Sequence, residues 1–203
     1  MEVIKPSYKI LTPIDQEAIY ALIEQAGRTA YKSEDKITIG SAEKFIASII
    51  KRGHESVLEH FNISVRFICD RGITHEIVRH RLVSYTQEST RYCNYGKRGM
   101  TVIQPLFFKE DSKNWSTWIW AMQACESAYN ALLESGASPQ EARSVLPNSL
   151  KTEIVCTANI REWRHILKLR TSKAAHPQMR EIMQPLLNEL LGKLPALFAD
   201  LEE

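Results

Sequence analysis

The chain has 203 residues, of which 44% are hydrophobic and 25% charged, so it can bury a core without disulfides or a structural metal. Its formal net charge of only +2 does not indicate a protein that binds nucleic acid over its whole surface. The first ten residues lack the apolar segment of a secretory signal, and no apolar run approaches the roughly 18 residues of a bilayer span. We therefore expect a cytoplasmic protein that forms a single domain over residues 1–203 and binds neither nucleic acid nor a membrane.

Hydrophobic periodicity and turn residues predict the elements of the first half of the chain. In order they are a strand over 3–11, a helix over 14–27, a helix from Ser41 as N-cap to Gly53, a strand over 61–70 and a short helix over 73–83. The strand over 61–70 is the clearest, because apolar side chains alternate with mostly polar ones. Gly72 is expected to end that strand.

The second half begins with a polar, aromatic stretch over 84–99 that is typical of a functional loop. It is followed by a helix over 115–136, a short helix from Pro139, a strand over 152–159, a helix over 161–173 and one or two helices over 177–200. Strands and helices do not alternate regularly, and the sequence has no Gly-rich nucleotide loop. We predict an α+β fold in which helices pack on a mixed, largely antiparallel sheet, and not a Rossmann fold.

Positive charge is concentrated between His75 and Arg98, where four arginines, one lysine and two histidines outnumber two glutamates. The densest part runs from Arg79 to Tyr92 and reads Arg-His-Arg-Leu-Val-Ser-Tyr-Thr-Gln-Glu-Ser-Thr-Arg-Tyr. Guanidinium groups form paired hydrogen bonds with phosphate or carboxylate oxygens, and hydroxyl and amide groups can bind ring carbonyl and N–H groups. The pattern indicates a site for a small anionic ligand, although a solvated helix face followed by a polar loop has the same composition.

Spacing disfavours two other kinds of catalytic site. His54 and His60 are six residues apart and His75 and His80 are five apart, whereas the histidines of a zinc-protease helix are four apart. The cysteines form no CxxC pair and have no context typical of a nucleophile. They are Cys69, Cys93, Cys125 and Cys156. We expect no metal site and no catalytic cysteine.

The run from Arg79 to Tyr92 resembles the signature of flavin-dependent thymidylate synthases, Arg-His-Arg followed by seven residues and a serine. Ser89 occupies the serine position, and Ser84 and Arg91 match the flanking pattern. Three further segments resemble family motifs, in the family's order. They are Gly-His-Glu-Ser-Val-Leu-Glu-His at 53–60, Glu-Ala-Arg-Ser-Val-Leu-Pro at 141–147, and Asn-Ile-Arg-Glu at 159–162 with Leu-Lys-Leu-Arg at 167–170.

The chain departs from the family pattern at a few positions within these matches. Thr86-Gln87 stands where Asn-Glu is common, Glu76 where Gln is frequent, and His165 where Asn is common. Gln87 keeps hydrogen-bonding reach but lacks the charge of a glutamate. These changes bear on single contacts rather than on the activity.

The resemblance implies a methyltransferase of dTMP biosynthesis that converts dUMP to dTMP. It implies FAD as cofactor, with NADPH and 5,10-methylenetetrahydrofolate as co-substrates, since protein side chains cannot supply a hydride. It also implies a homotetramer whose active sites are shared between subunits.

The resemblance also assigns residues to ligands. The dUMP site would contain Glu76, Arg79, Gln87, Ser89, Thr90, Arg91, Arg143 and Arg170. The FAD site would contain Ser56, Arg79, His80, Arg81, Gln87, Asn159, Arg161 and His165. His54 would line the flavin or folate site, and Arg170 would be catalytic by polarising the pyrimidine.

Considered without the resemblance, the residues leave alternatives open. Arg170 shares a helical face with Trp163 and Leu167, which suggests a buried guanidinium, but it could also reach the surface or pair with Glu162. The chain could instead bind single-stranded nucleic acid, with aromatic side chains as stacking platforms, or bind a nucleotide without turnover. Those aromatic side chains are Tyr85, Tyr92 and Tyr95.

Overall fold

In the computed structural model, which describes residues 1–201, the chain passes back and forth between two units. The first unit comprises Met1–Tyr8, Arg66–Arg79 and Tyr85–Val155, and the second comprises Lys9–Val65, His80–Ser84 and the chain from 156 onward. Residues 202 and 203, the end of the predicted domain, lie outside the described chain. Within residues 1–201, none of the helices combines the length and apolar character that crossing a bilayer requires.

Residues 1–201 form two sheets. The strands are β1 (Glu2–Ile4), β2 (Ser7–Ile10), β3 (Asn62–Asp70), β4 (Ser84–Gln87), β5 (Thr101–Ile103) and β6 (Lys151–Asn159). A four-stranded sheet has the order β2-β3-β6-β4, and β1 pairs in parallel with β5. The N–H of Ile160 bonds the carbonyl of Phe61 while the N–H of Arg71 bonds that of Leu150, so β3 and β6 are antiparallel. The predicted α+β class with a largely antiparallel sheet is confirmed.

The first unit has its own hydrophobic core. Its helices are α3 (Arg71–Ile77), α4 (Tyr95–Arg98), α5 (Lys113–Glu134) and α6 (Pro139–Ala142), with a 3₁₀ turn at Arg143–Val145. Trp118, Met122 and Tyr129 lie four and seven residues apart on one face of α5, and they are buried. They pack in a cluster with Val102 and Leu150 from the strand region, and Tyr95, which follows Ser89 in the chain, belongs to the same cluster.

The second unit is mostly helical. Its helices are α1 (Gln16–Tyr31), α2 (Ser41–Lys51), α7 (Ile160–Thr171), α8 (Pro177–Lys193) and α9 (Pro195–Phe198), with 3₁₀ turns at Glu34–Lys36, Glu55–His60 and Ala199–Leu201. Trp163 of α7 is 1% exposed, and its indole Nε1 donates a 2.9 Å hydrogen bond to the carbonyl of Ile63. Leu167, one turn later, is fully buried. Helix α7 is therefore fixed against strand β3.

Asp70, rather than Gly72, decides where β3 ends. Its carboxylate accepts a 2.7 Å hydrogen bond from the N–H of Ile73 and caps α3. Gly72 lies inside that helix, so the prediction that it breaks the strand is wrong. The helix ends at Ile77 rather than at 83, which leaves Arg79-His80-Arg81 in the turn that follows.

Two other predicted boundaries are wrong for local reasons. Ser41 is not the N-cap of α2, because Gly40 takes that position with φ of 75° and the Ser41 hydroxyl instead donates to buried Glu24 at 2.7 Å. The strand predicted over 3–11 is two strands, since Pro6 has no N–H to donate to a sheet.

The predicted loop over 84–99 is also partly wrong, because it contains strand β4 and the short helix α4. Strand β5 and the 3₁₀ turn at Glu55–His60 were not predicted. The alternation predicted for β3 is confirmed, since Ile63, Val65 and Phe67 are fully buried.

Candidate active site

The second unit contains a cleft of about 780 Å³, a volume within the range of small-molecule sites. It is lined by both basic and acidic side chains, and by Leu82 from the segment that follows the Arg-His-Arg run. Three residues predicted to bind FAD line it together: Asn159, Arg161 and His165. The spacing of four between Arg161 and His165 places both on one exposed face of α7, as the sequence indicated.

The first turn of α7 favours an anion. The side chain of Asn159 caps the helix by accepting a 2.8 Å hydrogen bond from the N–H of Glu162. The helix dipole places partial positive charge at this end, and Arg161 adds a full charge. This end of the cleft is therefore suited to a phosphate group.

Arg161 is paired with carboxylates. Its Nη1 lies 2.6 Å from Glu59 and its Nε 3.8 Å from Glu55. These contacts raise the pKa of Arg161, the bond to Glu59 most of all. The side chain is 52% exposed, so the pairs are water-screened and an anionic ligand can replace them at small cost.

Arg164, which belongs to none of the predicted sites, is a second guanidinium that lines the cleft. It is 7% exposed and forms two 2.7 Å bonds with the carboxylate of Asp200, and it also bonds the carbonyl of Leu197 and lies 3.4 Å from Glu55. Because Asp200 is 36 residues away, no local pattern could reveal this pair. Its partners hold it in place, so it shapes the wall of the cleft.

His80, the middle residue of the Arg-His-Arg run, is buried at 6% exposure. The Nε of Arg170 donates a 3.0 Å hydrogen bond to its Nε2. On its other side, Nδ1 lies 3.7 Å from a carboxylate oxygen of Glu162, and the ring meets that of His165 edge-on with centroids 5.8 Å apart. His80 is thus linked to residues near both ends of α7.

The charge state of His80 follows from these neighbours. Burial, and then the nearby Arg170 and His165, lower the pKa of His80 to about 4. The ring is therefore neutral at pH 7, and its proton sits on Nδ1 because Nε2 accepts from Arg170. The contact with Glu162 is consequently not an ion pair, and burial raises the pKa of that carboxyl.

Arg170 contacts His80, and the other side of that ring lies beside Glu162. It lies in the last turn of α7, where a cation is favoured by the helix dipole. The hydrogen bond from its Nε to a buried, neutral ring fixes the plane of the guanidinium. A planar guanidinium held in one orientation is suited to binding an oxygen that gains negative charge.

His54 and Ser56 lie at a second cavity of the second unit, of about 450 Å³. The hydroxyl of Tyr31 and Nδ1 of His54 are 3.3 Å apart. Arg161 also lines this cavity, so it contributes to both. The proposed flavin contacts of the second unit therefore extend over two neighbouring cavities joined at Arg161.

In the first unit, the segment from Gln87 to Arg91 is anchored through Glu88. One carboxylate oxygen of Glu88 accepts from the hydroxyl of Tyr95 at 2.8 Å, and the other from Lys151 at 2.9 Å. The N–H of Glu88 donates to the carbonyl of Glu153 at 2.8 Å. Burial and the bond to Glu88 raise the pKa of Tyr95, so it remains a donor.

The turn after this anchor is built on Ser89. Its hydroxyl accepts from the N–H of Arg91 at 3.3 Å, and its carbonyl accepts from the N–H groups of Tyr92 and Cys93. The Arg91 guanidinium lies over the Tyr92 ring at 5.4 Å. The turn leaves the Arg91 side chain exposed to solvent.

The structure places the predicted residues in two groups. The first unit holds Glu76, Arg79, Gln87, Ser89, Thr90, Arg91 and Arg143. The second unit holds His54, Ser56, His80, Arg81, Asn159, Arg161, His165 and Arg170. The predicted dUMP residues other than Arg170 therefore belong to the first unit, and most of the predicted FAD residues belong to the second. Arg79, Arg81, Arg91 and Arg143 are exposed, whereas Thr90 is buried.

A profile of the family described as thymidylate synthase complementing protein matches residues 14–196. The chain is 35% identical over 194 residues to the flavin-dependent thymidylate synthase of Geobacter sulfurreducens, covering 92% of this chain and 82% of that protein. It is 34% identical over 182 residues to the one of Pyrococcus furiosus, covering 88% and 74%.

The chain belongs to the flavin-dependent thymidylate synthase family. This confirms the resemblance drawn from the motifs, and with it the enzyme class and the flavin cofactor. A solved structure agrees in fold: the UMP/dUMP methylase PolB from Streptomyces cacaoi bound with 5-Br dUMP has a TM-score of 0.83. That match covers 98% of this chain and 96% of the other at 21% identity.

Proposed function

We propose that this protein catalyses the reductive methylation of dUMP to dTMP, with 5,10-methylenetetrahydrofolate as carbon donor and NADPH as the source of reducing equivalents. The single observation that supports this best is the half-buried Arg170 bonded to neutral His80, whose neighbours Glu162 and His165 line the cleft. Family membership supplies the reaction type, and the geometry supplies groups that can perform it.

The second unit fits FAD by the chemistry of its donors. The N-terminus of α7, Asn159, Arg161 and His165 would hold the anionic part of the cofactor, with Ser56, His80 and Arg81 as further contacts. The resemblance to the family adds Arg79 and Gln87 to the proposed FAD contacts. FAD supplies the hydride that a protein side chain cannot supply. His54 would line the flavin or folate site.

The first unit fits the nucleotide. Arg79, Arg91 and Arg143 are exposed guanidiniums, which suit the phosphate of dUMP. Glu76, Gln87, Ser89 and Thr90 would bind the sugar and the base through hydrogen bonds. Arg170 would bind the pyrimidine and stabilise negative charge that develops on it, which makes C5 nucleophilic. In this scheme no enzyme nucleophile attacks the substrate.

The test is anaerobic incubation of the purified protein with FAD, NADPH, dUMP and methylenetetrahydrofolate, followed by measurement of dTMP. Formation of dTMP that requires all four compounds is the expected result. Flavin binding without dTMP would favour the non-catalytic homologue. A colourless protein that binds single-stranded nucleic acid would favour the nucleic-acid-binding alternative.

Replacing the cysteines tests the absence of a covalent nucleophile. Cys69 and Cys156 are 1% exposed, and burial raises the pKa of Cys156 to about 12, so its thiol is protonated at neutral pH. We expect a folded variant with serine or alanine at all four cysteine positions to keep forming dTMP. Loss of turnover in Cys93→Ala alone, with normal folding and flavin content, would contradict this.

We further propose that residues 1–203 form one catalytic domain, that the protein is cytoplasmic, and that it is a homotetramer with shared active sites. Arg143 would then serve the site of a neighbouring subunit. Arg143→Ala and Arg91→Ala should each be inactive, and mixing the two after subunit exchange should restore activity, because some sites receive both intact arginines. The activity of the mixture is the measurement. No recovery after exchange confirmed by mass spectrometry would show that each site is built from one chain.

A further inference from the structure

Gln87, the residue that stands where glutamate is common, is held by two buried hydroxyls. Its Nε2 lies 3.0 Å from Oγ1 of Thr74 on helix α3 and 3.3 Å from Oγ1 of Thr152 on strand β6. Both threonines are completely buried. The side chain of Gln87 is thereby clamped between a helix and a strand of the same unit.

The direction of these bonds follows from the Thr74 hydroxyl. A hydroxyl has one proton, and that of Thr74 donates to the carbonyl of Arg71 at 2.9 Å. Its oxygen therefore accepts from Gln87 rather than donating to it. An ionised glutamate has no proton to offer this oxygen, whereas an amide does.

Both N–H groups of the Gln87 amide therefore have an acceptor within the protein. A primary amide has two N–H bonds, and here one is directed at Thr74 and the other at Thr152. What Gln87 presents elsewhere is its carbonyl Oε1, which can only accept. The backbone beyond it is also fixed, because the N–H of Glu88 bonds Glu153 at 2.8 Å.

We propose that Thr74 and Thr152 are positioning residues that hold Gln87 as an acceptor for a donor group of dUMP, either the deoxyribose hydroxyl or the pyrimidine N3–H. This rests on the proposed function. Held in this way, Gln87 offers the ligand what a carboxylate oxygen would offer, without its charge. The buried threonine pair thus suits glutamine at position 87, because its amide can donate to both hydroxyl oxygens.

The test is calorimetric titration of dUMP into the FAD-loaded protein. Thr74→Val and Thr152→Val keep the side-chain shape but remove an acceptor, which lets the amide turn and present a donor. Each should weaken dUMP binding roughly 3- to 10-fold, the range for one hydrogen bond. Thr74→Ser keeps the hydroxyl and should bind much more tightly than Thr74→Val. Thr157→Val, a matched control on the same strand, removes a hydroxyl that lies 2.8 Å from Ser64 Oγ and should leave the affinity unchanged.

A double-mutant cycle separates positioning from general damage. In a Gln87→Ala background, Thr74→Val should no longer weaken dUMP binding, because the residue through which it acts is gone. The same loss in both backgrounds would overturn the inference. The 3′-deoxy and N3-methyl analogues of dUMP identify the donor, since the analogue that lacks it should be insensitive to Thr74→Val. If the wild-type protein bound no dUMP, the proposed function itself would fail.

Discussion

Arg170→Ala should slow dTMP formation by about 10²–10³-fold, the usual effect of removing one preorganised donor to a developing anion. The guanidinium is fixed through the 3.0 Å bond from its Nε to His80, so little reorganisation is needed when charge appears on the pyrimidine. His80 remains neutral at any pH well above 4, and the geometry should therefore hold across the physiological range. Arg170→Lys keeps the charge but loses the planar fork, so it should also be impaired.

The two half-reactions show where Arg170 acts. Rapid-reaction measurements should find the loss in oxidation of the reduced flavin by dUMP and folate, with NADPH-dependent reduction unchanged. Lys173→Ala, which removes an exposed positive charge just beyond α7, is the control and should be normal in both. If Arg170→Ala slowed only the NADPH step, its assignment to the pyrimidine would be wrong.

Trp163→Ala should lower the free energy of unfolding by about 3–5 kcal/mol, the range for removing a large aromatic side chain from a core. Trp163 is 1% exposed, and its indole also satisfies the carbonyl of Ile63. Domains of this size are stabilised by only about 5–15 kcal/mol, so the variant should be close to unfolding. Trp163→Phe should cost less, about 1–3 kcal/mol, chiefly by leaving that carbonyl unpaired.

Urea denaturation followed by circular dichroism measures the effect. Trp120→Ala on helix α5 is the matched control, because Trp120 is 69% exposed and its removal should change stability by less than about 0.5 kcal/mol. Equal losses for both tryptophans would mean that α7 is not held by Trp163. Since α7 carries Arg161, His165 and Arg170, flavin affinity should fall together with stability.

The elements that sequence predicted well are those with strong periodicity. The alternation of β3 and the apolar faces of α1, α5 and α7 depend on residues within one element, so they are visible in the sequence. The boundaries that failed depend on competition between neighbours. Asp70 caps a helix before Gly72 can end the strand, and Gly40 replaces Ser41 because that serine bonds Glu24.

The site was predicted in its residue types but not in its contacts. The motifs named His80 and Arg170, which are 90 residues apart, but nothing local showed that they would touch. Burial and the nearby Arg170 and His165 keep His80 neutral, and these surroundings arise only in the folded chain. Arg164 and Asp200, and likewise Gln87 with its two threonines, are pairings between distant segments that periodicity cannot reveal.

Helix α7 also limits how the length of the chain can vary. Arg161 and Arg170 are nine residues apart on one continuous helix, which separates them by about 13 Å along its axis. Adding or deleting one residue between them would turn the two ends by about 100° relative to each other. Arg170 would then leave His80, or Arg161 would leave the cleft. We expect insertions among related chains to be absent from 161–170 and to be tolerated in the connection between α1 and α2.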